Sequence, residues 1–284
     1  MRFLILQDIP MKTEQEKFSI AKCFERAFFR AGHTAIALDT RDVNYDLVKQ
    51  TAENVDAIFI TQNYFLETIN YIDDFNKLKI FWSIDSHKDL EVHKKFIKEH
   101  KIDIALVAGF NYVDKFNKGI WFPNCYPSDL IKPVNFRNRP IDFGFCGSKS
   151  NRTEWLTELL IRANIHLAIN KVAEDMVENI CAYRIGWNRN ESDDLNFRTF
   201  EVTGAGAMLL TNAIGGIELC YEPGHEVILY DSLEDCIDTV KYYLENEEDR
   251  LRIAINGYVR ARQKHTFDSR ASELIKIIET GDKI

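Results

Sequence analysis

Short, almost continuous apolar runs alternate along the chain with longer stretches in which apolar residues recur every three or four positions. Such runs suit strands buried on both faces, and the longer stretches suit amphipathic helices laid over them, so the pattern predicts β-α units closing mostly parallel sheets. In the first half the predicted strands are residues 3–6, 34–38, 57–61, 78–82, 103–107 and 119–122, with helices over 14–30 and 88–99 between them. Together they make one doubly wound domain.

Four of the six prolines, Pro123, Pro127, Pro133 and Pro140, then fall within 123–140. Proline fixes φ and lacks a backbone donor, so the connection between domains is placed in this stretch. A second series of predicted strands follows at 141–146, 165–169, 182–187, 207–211 and 227–230, and beyond Ser232 only helices remain, over 233–245, 247–264 and 268–280. The predicted fold class is α/β, with two Rossmann-like doubly wound domains facing a cleft. Residues 1–134 form the first, residues 135–267 the second, and the closing helix within 268–284 packs back on the first.

A length of 284 residues agrees with two separate cores, and 45% apolar with 28% charged residues is an ordinary globular composition. No apolar run approaches the ~20 residues that span a bilayer, and the opening residues 1–8 read as a strand rather than a leader, so a cytoplasmic location with no membrane span is expected. Six scattered cysteines, without a C-x-x-C pair or a histidine at metal-ligand spacing, read as reduced packing residues, and no metal is expected. The net charge of -8 gives no broad footprint for a polyanion and leaves room only for a local basic groove.

The stretch from Asp193 to Thr211 carries the densest chemistry and reads as loop, short helix, small-residue turn and strand. With Asn196 as helix cap, Arg198 falls in the first turn, where the helix dipole disfavours a cation by about 0.3–1 kcal/mol. Either an anionic ligand such as a nucleotide diphosphate or a local pair with Glu201 resolves that conflict. Glu201, one turn on, is a carboxylate that can accept from two neighbouring hydroxyls, as on a ribose. Gly204, Ala205 and Gly206 permit either a close ligand approach or a plain helix stop.

These residues carry a resemblance. Arg198-Thr199-Phe200-Glu201 followed by Gly204-Ala205-Gly206-Ala207-Met208-Leu209-Leu210 resembles the core of the CgeB-like, spore-maturation type glycosyltransferases of the GT-B fold. The likeness runs on through Glu222-Pro223-Gly224-His225-Glu226-Val227 and His265-Thr266-Phe267-Asp268-Ser269-Arg270, and upstream to Phe143-Gly144-Phe145-Cys146-Gly147-Ser148 with Arg152. It implies a second domain that binds a nucleoside diphosphate sugar through Gly147, Ser148, Arg152, Asn196, Arg198, Glu201, Thr203 and Gly204. It also implies metal independence. Glu201 matches the later of two acids that related enzymes place eight residues apart, and Asp193 stands at the earlier position, beside Asp194. That spacing leans toward retention of anomeric configuration.

In the first domain Trp82-Ser83-Ile84-Asp85-Ser86-His87 ends a predicted strand, where ligands of open α/β sheets collect. His87 can accept a proton from an acceptor hydroxyl, with Asp85 orienting or replacing it; both residue types also serve as ordinary helix caps. Asn63-Tyr64-Phe65 and Gly109-Phe110-Asn111-Tyr112 offer aromatic faces for a sugar or base, or simply pack in the core.

The function expected is transfer of a sugar from a nucleoside diphosphate sugar, a UDP-sugar foremost, to a hydroxyl on a glycan, protein, metabolite or modified nucleobase, with no further cofactor. The alternatives are a sugar-nucleotide epimerase on the same fold and a non-catalytic sugar-nucleotide binder.

Overall fold

A computed structural model of the chain describes residues 1–9, 13–41, 45–61, 66–133, 135–190 and 194–281. They divide into two compact units, Met1–Pro123 with Phe267–Ile284, and Asn124–Thr266. The crossing after Pro123 comes earlier in the chain than the expected boundary at 134, because the segment behind it is tied into the second unit. The Tyr126 N–H donates to His265 O at 2.9 Å, Asn124 Nδ2 donates to Leu195 O at 2.8 Å, and Tyr126 pairs with Thr266 as a parallel bridge.

The first unit runs β1 (Arg2–Gln7), α1 (Thr13–Glu16), α2 (Ile20–Arg30), β2 (Thr34–Asp39), α3 (Tyr45–Glu53), β3 (Ala57–Ile60), β4 (Leu78–Ser83), α4 (Ser86–Glu99), β5 (Ile104–Val107) and β6 (Ile120–Trp121). Its strands form one parallel sheet in the order β2-β1-β3-β4-β5-β6. β3 and most of β1 and β4 are buried, as strands covered on both faces must be. The helix expected over 14–30 is broken. Ser19 caps α2 by accepting from the Lys22 N–H at 3.3 Å, and a serine there offers the backbone a new start that outweighs continuation.

The second unit runs β7 (Ile141–Gly147), α5 (Thr153–Ala163), β8 (His166–Ile169), α6 (Ala173–Ala182), β9 (Tyr183–Trp187), α7 (Phe197–Gly204), β10 (Met208–Asn212), α8 (Ile217–Cys220), β11 (Ile228–Tyr230), α9 (Leu233–Glu245) and α10 (Glu247–Lys264). Its parallel sheet has the order β11-β10-β9-β7-β8. The chain then returns to the first unit as α11 (Phe267–Thr280). Among the described residues no helix is long and apolar enough to cross a membrane.

Each core has an aromatic centre. Phe24 on α2 lies 5.1 Å from Phe59, 5.7 Å from Trp82 and 5.1 Å from Phe267, so one ring joins two strands and α11 to α2. Edge-to-face contacts of this kind add about 0.5–1.5 kcal/mol each to the burial itself. Arg30 and Asp268 close the same seam with a 2.7 Å ion pair. In the second unit Trp187 meets Phe145 at 5.5 Å and lies 6.3 Å from both Trp155 and Tyr230, which are themselves 5.4 Å apart, so the three rings form one cluster.

The second unit also holds a buried cation. Arg139 donates to the carbonyls of Asn135, Cys181, Tyr183 and Ala205 at 2.7–3.0 Å, and burial lowers its pKa to about 10. Four neutral acceptors hold the charge where no carboxylate is available. Beside it Gly206 sits at φ +75°, and a Cβ there would come within 2.7 Å of the Phe136 ring. We expect Arg139→Met to lower the stability of the second unit by roughly 3 kcal/mol, since four carbonyls, two of them buried, lose their donor together. Gly206→Ala should also destabilise by more than 1 kcal/mol. Urea unfolding followed by tryptophan fluorescence measures both.

Candidate active site

In both sheets the first strand lies inside and the chain turns to opposite sides of it, so β1–β3 and β7–β9 are the switch points where open α/β sheets bind ligands at the carboxyl ends of their strands. In the second unit that end carries Gly147 and Ser148 after β7, and Asn188-Arg189-Asn190 after β9. The next described segment, from Asp194, leads into α7. The expected donor residues Gly147, Ser148, Arg152, Asn196, Arg198 and Glu201 all lie at this edge. Asp193 lies outside the described residues, as do Asn63, Tyr64 and Phe65.

A buried network sets the start of α7. Asn196 caps the helix, its Oδ1 accepting from the Thr199 N–H at 3.2 Å. Its own amide exchanges bonds with Asn188, Asn196 Nδ2 to Asn188 Oδ1 and Asn188 Nδ2 to Asn196 Oδ1, both at 3.2 Å. Asn190 Oδ1 accepts from the Asn196 N–H at 3.1 Å and from the Thr199 hydroxyl at 3.2 Å, while its Nδ2 donates to Thr211 Oγ1 at 3.1 Å. Asn188 Nδ2 reaches Thr199 Oγ1 at 3.1 Å. Asn188, Asn190, Thr199 and Thr211 are each at most 4% exposed, so these bonds have no competition from bulk water. Nothing in the sequence pattern singled out Asn188 or Asn190, and Thr199 entered only as part of the Arg198–Glu201 motif. The one available signal was a run of amides directly after an apolar strand.

Arg198 and Glu201 stand on the first turn of this helix with side chains 16% and 13% exposed, and Arg198 Nη1 lies 2.7 Å from Glu201 Oε2. The local pair weighed from the spacing is therefore formed. It is close but poorly aligned, and Arg198 Nη1 has no hydrogen bond despite its burial. The pair also adjoins β7. The Cys146 thiol, one residue before Gly147, is pushed up by burial, opposed by the Arg198 charge and reinforced by Glu201. Arg198 thus keeps its charge and one unused donor at the positive end of a helix, an arrangement that favours an anion.

Three of the expected contacts serve the protein itself. Arg152 Nε and Nη2 both donate to Arg189 O, at 2.9 and 2.7 Å, so much of its guanidinium braces the turn after β9. The Thr203 hydroxyl is buried, donating to Thr199 O at 3.0 Å and sharing a 2.8 Å bond with Tyr221 OH. Gly204 faces Tyr126, whose ring fills the space a Cβ would need. Thr203 and Gly204 are therefore corrected from ligand contacts to packing positions, because the helix turns them toward the interior. Arg189, which had no expected role, lays its guanidinium 4.1 Å over the Trp155 ring.

In the first unit Asp85 is the cap residue of α4, yet its side chain makes no capping bond and its Oδ2 lies 3.4 Å from Lys88 Nζ. His87 follows in the first turn. Beneath them runs a buried chain the sequence did not reveal: Ser86 Oγ meets Ser83 Oγ at 2.5 Å, and Ser83 Oγ meets His93 Nδ1 at 2.8 Å. It pins the start of α4 to the end of β4. Gly109 caps the short helix Phe110–Lys115, and the Phe110 ring meets Trp121 edge-on at 5.4 Å while staying 41% exposed, so it is not part of the core.

Two parallel-sheet units, the second with a cationic helix start at its switch point, define the architecture of nucleotide-sugar-dependent glycosyltransferases of the GT-B type. The chain belongs to the family described as Glycosyl transferase-like, which matches residues 128–276, more than half its length. It is a glycosyltransferase.

Solved structures agree on the fold over nearly the whole chain. An alpha-glucosyltransferase in complex with UDP and a 13-mer DNA containing a HMU base is 13% identical, at TM-score 0.68, covering 99% of this chain and 100% of that one. HepE of Anabaena, in complex with UDP and glucose, is 10% identical at TM-score 0.69, with the same coverage of each chain. Sucrose-phosphate synthase of Thermosynechococcus elongatus is 11% identical at TM-score 0.66, covering 98% of each. No curated protein matches the chain.

Asn188→Ala removes a shared partner of Asn190, Asn196 and Thr199 and should cost about 1–3 kcal/mol. Amide hydrogen exchange is expected to rise at residues 197–201 while the sheet stays protected. Burial lowers the pKa of His93, with Asp89 and Asp85 opposing. The unfolded chain therefore takes up a proton below about pH 6.5 that the folded chain refuses, and this contribution to stability, present above that pH, falls away as pH drops through it. His93→Gln should flatten the dependence of unfolding free energy on pH between 6.5 and 5.

Proposed function

We propose that the chain transfers a sugar from a UDP-sugar to a hydroxyl acceptor without a metal ion, and that within its family it stands nearest the CgeB-like branch. The observation that carries this is the Arg198–Glu201 pair, half-buried at the start of α7 beside the end of β7 and inside the family-matched segment. Arg198 has charge and an unused donor for the diphosphate, and the backbone N–H groups of the first turn of α7 add to it. Gly147 and Ser148 border the phosphates from β7, and the charge of Arg152, held at this edge by Arg189 O and Ser148 O, adds a second positive group. Glu201 takes the ribose hydroxyls once the diphosphate draws Arg198 away.

Departure of the diphosphate is the step these groups assist. Its growing negative charge meets a cation and oriented dipoles already in place, which is the arrangement that stabilises a transition state rather than a ground state. Two arginines and a helix start supply the positive charge that a divalent ion would otherwise provide. The bound UDP in the alpha-glucosyltransferase and HepE structures supports a uridine donor. The acceptor hydroxyl must lose a proton, and Asp85 and His87 of the first unit are the groups proposed to take it. The eight-residue spacing from Asp193 to Glu201 supports retention.

UDP-sugars should raise Tm for the wild-type chain, by the equivalent of about 2.7 kcal/mol at a hundred times Kd. Glu201→Gln and Arg198→Ala should each weaken that response at least about tenfold while the unliganded Tm changes little. A proton NMR spectrum of the sugar released to water, recorded with and without EDTA, tests retention and metal independence together. No thermal response to any nucleotide sugar would remove the donor assignment.

A further inference from the structure

We propose that a lysine-lined groove on the first unit, between α4 and the turn leading into β6, binds the phosphodiester backbone of duplex nucleic acid without reading its sequence. The groove has a volume of about 910 Å³ and is lined by Lys94, Lys95, Lys98, Lys101, Lys115 and Lys118. This goes beyond sugar transfer and needs no donor.

Charge is the first observation. Six lysines face three lining carboxylates in a protein whose net charge is -8. Those carboxylates are already engaged: Glu91 on Lys94 at 2.9 Å, Glu99 near Lys95 at 3.8 Å, and Asp103 as acceptor for the Lys79 N–H at 2.8 Å. Lys98, Lys101, Lys115 and Lys118 are exposed and make no ion pair among the described residues. Like charges gathered without counter-charges repel one another, and a polyanion removes that cost. The acidic remainder of the surface repels the same polyanion, which confines it to the groove.

The backbone supplies a second, independent observation. Lys101 and Lys118 adopt left-handed conformations, at φ 49° and 58°, one at the end of α4 and the other just before β6. A non-glycine residue there costs roughly 1–2 kcal/mol, and glycine or asparagine would sit more easily. At both places in this groove an ammonium group stands where the backbone favours a smaller residue. Strain kept in this way points to a use for the side chain.

The lining also selects among polyanions. It includes no arginine, so the planar fork that grips carboxylates and phosphates in a fixed orientation is missing and only point charges remain, which hold a charged backbone without fixing its register. Its one aromatic, Phe116, is buried at 6% exposure and gives no face for stacking an unpaired base. A concave wall suits a rod-like backbone better than a flat bilayer. Regular negative charge, met by lysines indifferent to register, is the sequence-independent mode of duplex binding.

Fluorescence anisotropy of the full chain with a fluorescein-labelled DNA duplex of arbitrary sequence, between 50 and 200 mM KCl, tests this. Four engaged lysines predict a log–log salt slope of about -3.6, so affinity should fall on the order of a hundredfold over that range. The combined variant Lys98→Gln, Lys101→Asn, Lys115→Gln, Lys118→Asn should lose detectable binding at 50 mM while its Tm holds or rises, asparagine being at ease at positive φ. Should that variant misfold, Lys98→Glu with Lys115→Glu, both away from the strained positions, reads the same loss. Absence of wild-type binding at 50 mM, binding unchanged in the variants, or tighter binding of heparin or polyglutamate than of duplex would each overturn the proposal.

Discussion

Everything the second unit offers a ligand depends on where α7 begins, and buried amide and hydroxyl bonds hold that point. A helix start has orphan donors and a positive end wherever it lies. What distinguishes this one is that Asn188 and Asn190, at the end of β9, hold Asn196 and Thr199 in place. The sheet is rigid because its core is packed with aromatic rings, and the amides carry that rigidity across the loop to the helix. Gly186 lets the helix lie close, since a Cβ there would meet Val202 at 2.5 Å. Arg198 and Glu201 inherit a fixed position from this buried network.

The same economy appears in the first unit. Ser83, Ser86 and His93 hold the start of α4 against β4, so Asp85 and His87 are presented from a fixed edge rather than from a loose loop. In both units a polar residue at a strand end is bound to one on the following helix, inside the protein, and the chemistry-bearing side chain sits one or two residues away. Satisfied buried polar groups of this kind specify geometry more than they add stability.

Much of the fold was legible in the residue pattern. Buried parallel strands give unmistakable apolar runs, and the runs at 57–61 and 207–211 match observed β3 and β10 closely. The helix over 14–30 failed at Ser19, where a local side-chain bond competes with helix continuation and periodicity carries no trace of it. The boundary at 134 failed because prolines mark a stiff segment without saying which core it joins. Tyr126 settles that by filling the space beside Gly204 and pairing with Thr266.

Residue type and order alone determined an α/β chain with two series of strands, a cationic helix start after Asn196 and a carboxylate one turn on. Those follow from local chemistry, since caps, dipoles and periodicity act between near neighbours in the chain. Only the tertiary structure decided which of these side chains lie at the strand ends and which face the interior. Thr203 turns inward to Tyr221, Arg152 turns to the carbonyl of Arg189, and Arg139 becomes a buried anchor for four carbonyls. Apart from Asn135, four residues before Arg139, these partners are distant in sequence, and a hydrogen bond is satisfied by whichever group folding brings within reach, which spacing along the chain does not encode.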